Sequence, residues 1–84
     1  MRPSAMQVKI YAPFKVYFDG PANSLSASNE TGPFDILPHH KNFMSLLQPG
    51  KLTVRQNGKP DFNLQVDTAI LHIRANRVIV FLDV

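Results

Sequence analysis

Residues 51–66 read KLTVRQNGKPDFNLQV, and this stretch decides the fold. Lys51-Leu52-Thr53-Val54-Arg55 alternates polar and apolar at the period of two that a half-buried strand requires. Asn57-Gly58 follows, the pair that most favours a tight hairpin because both residues accept positive φ. Phe62-Asn63-Leu64-Gln65-Val66 then alternates again as the return strand. Two short strands joined by a turn, with one apolar side each, need a second layer to cover that side.

The rest of the chain repeats the pattern. On the N-terminal side lie Gln7–Tyr11 and Phe14–Phe18, punctuated by Pro13. Asp19-Gly20-Pro21 reads as a turn, since Gly supplies unusual φ and Pro fixes it. Ala22–Ser28 is a weak strand, Asn29–Pro33 a polar loop, and Phe34–Leu37 a short apolar run ended by Pro38. Phe43-Met44-Ser45-Leu46-Leu47 fits one helical turn or a short strand equally well at that length. Gln48-Pro49-Gly50 is a turn. Ala69–Ile73 and Val78–Leu82 form a last pair joined by Arg74-Ala75-Asn76-Arg77. Eight or nine short strands with turn signals at this spacing predict an all-β antiparallel sandwich or barrel.

Eighty-four residues make one small domain. No cysteine is present, so neither a disulfide scaffold nor a thiolate site is available, and one apolar core must hold the fold. The six phenylalanines are expected to fill that core. The net charge of +3 comes from nine basic against six acidic residues, and beyond Arg2 the basic ones, Lys9, Lys15, Lys41, Lys51, Arg55, Lys59, Arg74 and Arg77, are scattered without the clustered footprint of a nucleic-acid binder. No apolar run approaches the roughly 18 residues of a membrane span. The opening MRPSAMQ lacks the apolar segment of a secretion signal and reads as a flexible leader over residues 1–5, with Met6 a second possible start.

Catalytic equipment is missing from the sequence. There is no phosphate-binding glycine loop, no H-E-x-x-H and no nucleophile elbow. Glu30 is the only glutamate, and the aspartates sit near turns or strand ends. His39-His40 are adjacent, and adjacent strand residues point to opposite faces, so they are poorly placed to chelate one ion together. His40 reads as a turn histidine with a structural hydrogen bond, and His39 as surface. His72 is opposite in parity to Leu71 and Ile73 and faces outward. Tyr11, Phe14, Tyr17 and Phe18 beside Lys9 and Lys15 could stack bases in a small barrel, but core packing is the simpler use.

The order of the punctuation is more specific than any one motif. It runs Phe18-Asp19-Gly20, then Glu30-Thr31-Gly32-Pro33-Phe34-Asp35-Ile36-Leu37-Pro38-His39-His40, then Leu46-Leu47-Gln48-Pro49-Gly50. It ends with Ile70-Leu71-His72-Ile73 and Asn76–Asp83. From about Met6 onward this resembles the N-terminal β-sandwich of the F-type ATP synthase epsilon subunit (delta in mitochondria). That family reads "vFeG", "GeFGiLPgHaPllt.LkpG.lri" and "GGflEv..n.vtvLad".

The resemblance implies a two-sheet sandwich over residues 6–84. It implies a non-catalytic central-stalk subunit without cofactor or metal, linking the gamma subunit to the c-ring in proton-driven ATP synthesis. The implied location is peripheral, at the cytoplasmic face of a bacterial inner membrane, without membrane insertion or nucleic acid. Glu30, Thr31, Gly32, Pro33, Phe34, His39 and His40 map to the c-ring side. Ser45, Thr68, Ala69, Ile70 and His72 map to the gamma side. The family's C-terminal helical hairpin would follow Val84, so none of its regulation is expected from these residues. Departures from the pattern are Pro33 in place of the usual acid, His39 for glycine, Thr68-Ala69 for Gly-Gly and His72 for the acid of "flEv". They leave an alternative, an epsilon-like interaction module working outside the synthase. A third, a histidine-based metal enzyme, would need a further donor brought in by the fold. Leu37→Ala and Leu82→Ala are each expected to cost about 2–5 kcal/mol as core truncations.

Overall fold

Strand parity decides which side chains are buried, and two sheets result. The computed structural model describes residues 5–82; residues 1–4, most of the expected leader, lie outside the described residues. Nine strands follow one another: β1 Met6–Ala12, β2 Lys15–Ala22, β3 Ser24–Asn29, β4 Gly32–Ile36, β5 Phe43–Leu47, β6 Gly50–Arg55, β7 Phe62–Val66, β8 Ala69–Arg74 and β9 Arg77–Leu82. One sheet has the order β2-β1-β9-β8-β5, the other β4-β3-β6-β7. All pairings are antiparallel except β1 with β9, where Gln7 pairs with Arg77 and Tyr11 with Phe81 in parallel. The ambiguous FMSLL is strand β5, at an edge of the five-stranded sheet.

The core is aliphatic. Met6, Val8, Ile10, Leu71, Ile73, Val78 and Val80 face Leu25, Ile36, Leu52 and Val54 across the sandwich, all essentially inaccessible. Among the described residues no polar or charged one is buried. The phenylalanines do not fill this core, contrary to the reading of the sequence, and Phe14 is fully exposed. Four of the six, Phe18, Phe34, Phe43 and Phe62, close its open sides instead. Phe18 on edge strand β2 meets Phe62 on edge strand β7 with ring centroids 5.3 Å apart. On the other side Phe34 of β4 meets Phe43 of β5 at 6.0 Å, edge to face. The positions between the sheets are aliphatic, and an aromatic pair spans the gap on each side where the sheets part.

Three expectations about turns change. Asp19-Gly20-Pro21 is not a turn; these residues continue β2, opposite Lys9, Val8 and Gln7. The strand lies at an edge, where a proline's missing N–H costs no ladder bond if it faces outward. The Asn57-Gly58 hairpin exists, but its loop runs over 56–61 and pairing resumes at Val54–Phe62. Leu37 is 59% exposed, because the chain leaves β4 at Ile36 and the turn carries the next side chain outward. It is not a core residue. Leu82, at 4%, is.

The β8–β9 connection is tighter than the four-residue joint read from sequence. Arg74 pairs directly with Arg77, leaving only Ala75 and Asn76 in the turn, at φ of 52° and 61°. Positive φ at both central positions is the geometry that matches strand twist, and it is normally met by Asn and Gly. Ala75 holds it at a steric cost.

Candidate functional site

Strand β4 separates the residues assigned to the c-ring side into two groups. Glu30 and Thr31 form the β3–β4 tip before it, whereas His39 and His40 lie in the turn after it. Five strand residues put roughly 16 Å between those ends. Phe34 sits between, half-buried against Phe43.

The tip is built by Asn29. Its Oδ1 accepts from the Thr31 backbone N–H at 2.9 Å and from the Thr31 hydroxyl at 2.6 Å. Its Nδ2 donates to Ser45 Oγ at 3.1 Å, fastening the tip to β5 of the other sheet. Gly32 has φ of 119°, a region that disfavours other side chains. Glu30, Thr31 and Pro33 are left exposed.

The other end is a turn in which the His40 N–H donates to the Leu37 carbonyl at 3.2 Å. Pro38 takes the second position and His39, at φ of 66°, the third. A type II turn asks for this arrangement and prefers glycine third. His39→Gly is therefore expected to raise stability by roughly 0.5–1 kcal/mol, the relief of left-handed strain less the added chain entropy. Urea unfolding of the two proteins measures it, and a loss of stability would show that the His39 side chain contributes more than its backbone strain removes. His40 is tied down as well. Its Nδ1–H donates to the Lys41 carbonyl at 2.8 Å, and its ring meets Phe43 edge-on at 5.5 Å.

Asn76 joins this turn to the β8–β9 hairpin. Its Oδ1 accepts from the His39 N–H at 2.7 Å, and its Nδ2 donates to the Ala5 carbonyl at 2.9 Å. Its own carbonyl accepts from the Gln7 N–H at 3.2 Å. The Ala75 N–H donates to Asn42 Oδ1 at 3.2 Å. Among the described residues, no three His, Cys, Asp or Glu side chains gather at a possible metal position.

The residues assigned to the gamma side divide by parity. Ile70 and His72 point outward from β8, and Thr68 is exposed just before it. Ala69 does not: it shares the inward parity of Leu71, is 2% exposed and packs in the core. Ser45 likewise faces inward, toward Asn29. What β8 presents outward belongs to a larger row that sequence reading missed. Register places Val16, Tyr11, Phe81, Ile70 and Leu46 side by side across all five strands. Leu46 is 66% exposed, Val16 53% and Ile70 45%. Tyr11 and Phe81 touch edge to face at 5.2 Å within the row.

This architecture matches a known one. A family model described as the beta-sandwich domain of the ATP synthase delta/epsilon chain covers residues 5–84. The chain belongs to that family. Among curated relatives of this ATP synthase sandwich, the epsilon chain of Sulfurimonas denitrificans is 24% identical over 95% of the chain and 62% of its own length. That of Desulforamulus reducens is 30% identical over 92% of the chain and 58% of its own length. The chain thus spans about three-fifths of these relatives. The Chlorobium limicola epsilon chain, 24% identical, is covered over 90% of its length. The fold is shared with a chain of the Euglena gracilis mitochondrial ATP synthase, with a TM-score of 0.87 and 16% identity over 95% of this chain and 51% of that one. A chain from the central stalk and c-ring of the Tetrahymena thermophila mitochondrial enzyme gives 0.74 and 22% over 98% and 66%.

Proposed function

We propose that this delta/epsilon-type sandwich is a non-catalytic docking domain of an ATP synthase central stalk, seated between the gamma subunit and the c-ring. It would act peripherally, at the cytoplasmic face of a bacterial membrane, as part of the complex. The observation that carries the reading is the apolar row Val16–Tyr11–Phe81–Ile70–Leu46, exposed at Val16, Ile70 and Leu46 and half-exposed between, on a sheet whose other face packs on the core. A contiguous apolar strip of this kind is the mark of an interaction surface. Gamma is assigned to it, through Ile70 and His72 with Thr68 at its margin. The ring is assigned to the β3–β4 tip, through Glu30, Thr31 and Pro33. The His39–His40 turn, bound to Asn76, supports the frame between them. Torque passes through such a body by shape, and a core that buries no polar or charged residue among the described ones suits that use.

The cognate gamma subunit is expected to form a complex with the domain at micromolar concentration. Ile70→Asp should weaken that complex by at least about tenfold, as truncation of a central apolar anchor does, while leaving the melting temperature within a few degrees. Absence of any complex at micromolar gamma would refute the reading. Because the chain has no cysteine, Thr31→Cys supplies one thiol for cross-linking to the ring in an assembled synthase. A cross-link to ring subunits is expected; cross-linking only elsewhere would remove the tip from the ring contact.

A further inference from the structure

The outer face of the five-stranded sheet changes character along its strands. At one end is the apolar row through Phe81 and Ile70. Four residues further along β8 and back along β9, about 13 Å away, Arg74 and Arg77 stand directly opposite each other. Both are exposed, and His72 and Ile79 line the same shallow depression with them. Like charges at directly paired positions repel and weaken a hairpin. Among the described residues neither arginine has a carboxylate within ion-pair reach to offset this. The hairpin is also held in place. Asn76 is bonded to His39, Ala5 and Gln7, and Ala75 to Asn42. The two guanidinium groups therefore stand on a fixed base.

We infer that the Arg74–Arg77 pair is the acid-recognising end of the docking face. The partner lays an apolar stretch on the Tyr11–Phe81–Ile70–Leu46 row and presents carboxylates to the arginines about 13 Å away. Guanidinium forks suit carboxylates, which they bind through two parallel N–H···O bonds. An apolar row alone would accept a partner lying in either direction across the sheet. A positive pair at one end admits one direction, because the reversed partner leaves its carboxylates over Phe81 and Ile70. The inference rests on the reading that this face carries the stalk partner. It adds that the partner is acidic at one end and that this acid sets its direction.

The test is Arg77→Glu in the whole chain, with the cognate gamma subunit as probe. The variant folds, with a melting temperature unchanged or raised by about 1–5 °C, because an opposed Arg–Glu pair replaces Arg–Arg. Its affinity for gamma at low salt falls by about tenfold, and the dependence of affinity on salt flattens. Ile70→Asp weakens binding as well. The double Arg74→Lys, Arg77→Lys variant keeps the positive charge and the salt dependence. If the wild type binds gamma and Arg77→Glu binds equally well with the same salt dependence, the inference fails while the docking reading stands. If the wild type does not bind gamma, both fail. Vesicles of phosphatidylcholine with phosphatidylglycerol provide the last arm. Flotation of the wild type that Arg77→Glu abolishes, with gamma affinity unchanged, would assign the arginines to a lipid surface and overturn the inference.

Discussion

Leu71→Ala is expected to lower stability by about 2–5 kcal/mol, the range for emptying a fully buried leucine site. Leu71 has no accessible surface, lies on β8 between β9 and β5, and faces the second sheet. A domain of this size holds about 4–13 kcal/mol in total, so the variant should be partly unfolded at moderate temperature. Leu82→Ala acts in the same direction, from nearer a strand end. Leu37→Ala is the control: at 59% exposed it should change stability by less than about 0.5 kcal/mol. Urea denaturation of the three variants decides the matter, with the slope constant if each acts on the folded state. Equal losses for Leu37 and Leu71 would mean that the turn after β4 is packed differently from the structure described.

The second large effect is expected at Asn76, a residue that is only partly buried. Asn76→Ala removes two side-chain hydrogen bonds, worth about 0.5–1.5 kcal/mol each. It also places alanine at φ of 61°, where asparagine is better tolerated. Together these give a loss of about 2–3 kcal/mol. Asn76→Gly relieves the backbone but not the lost bonds, and should lose roughly 1–2 kcal/mol. Asn76→Asp keeps the acceptor for the His39 N–H and gives up only the donor to the Ala5 carbonyl, so it should lose least. The order Asp, Gly, Ala is the signature of a side chain that knits segments together. Losses below about 0.5 kcal/mol in all three would show that water replaces these bonds without cost.

Much of this was legible in the sequence, for identifiable reasons. The strand pairs β6–β7 and β8–β9 announce themselves by alternation over five or six residues, a local signal. Parity correctly sent His72 outward. The same parity sends Ala69 inward with Leu71, so its place in the core could have been read from residues 69–73 alone. Strand β5 was undecidable because four apolar residues around one serine are too few to carry a period; its pairing with β8 decides. Asp19-Gly20-Pro21 misled because turn residues are also what an edge strand tolerates, and nothing local says that β2 is an edge. Phenylalanine content suggested a ring-filled core, but four of the rings lie on edge strands, Phe14 in a turn and Phe81 on the outer face, and which strands are edges is not a local property. The apolar outer row needed register across five strands, which exists only once they pair. The Asn76 network joins residues 37 and 71 positions apart, and no local pattern reports it.

The parallel pairing of β1 with β9 has a consequence for how the domain comes into being. Gln7 meets Arg77 only after 70 further residues (77 − 7), Arg77 included, have been made. At about 5–20 residues per second, a nascent β1 waits several seconds for that neighbour. Until then β2 guards one of its edges by local pairing and the other stays open, with Val8 and Ile10 uncovered. High contact order of this kind puts folding in the millisecond-to-second class once the chain is complete. The interval before completion, rather than the finished sandwich, is when this sequence is most exposed to aggregation and most in need of a chaperone.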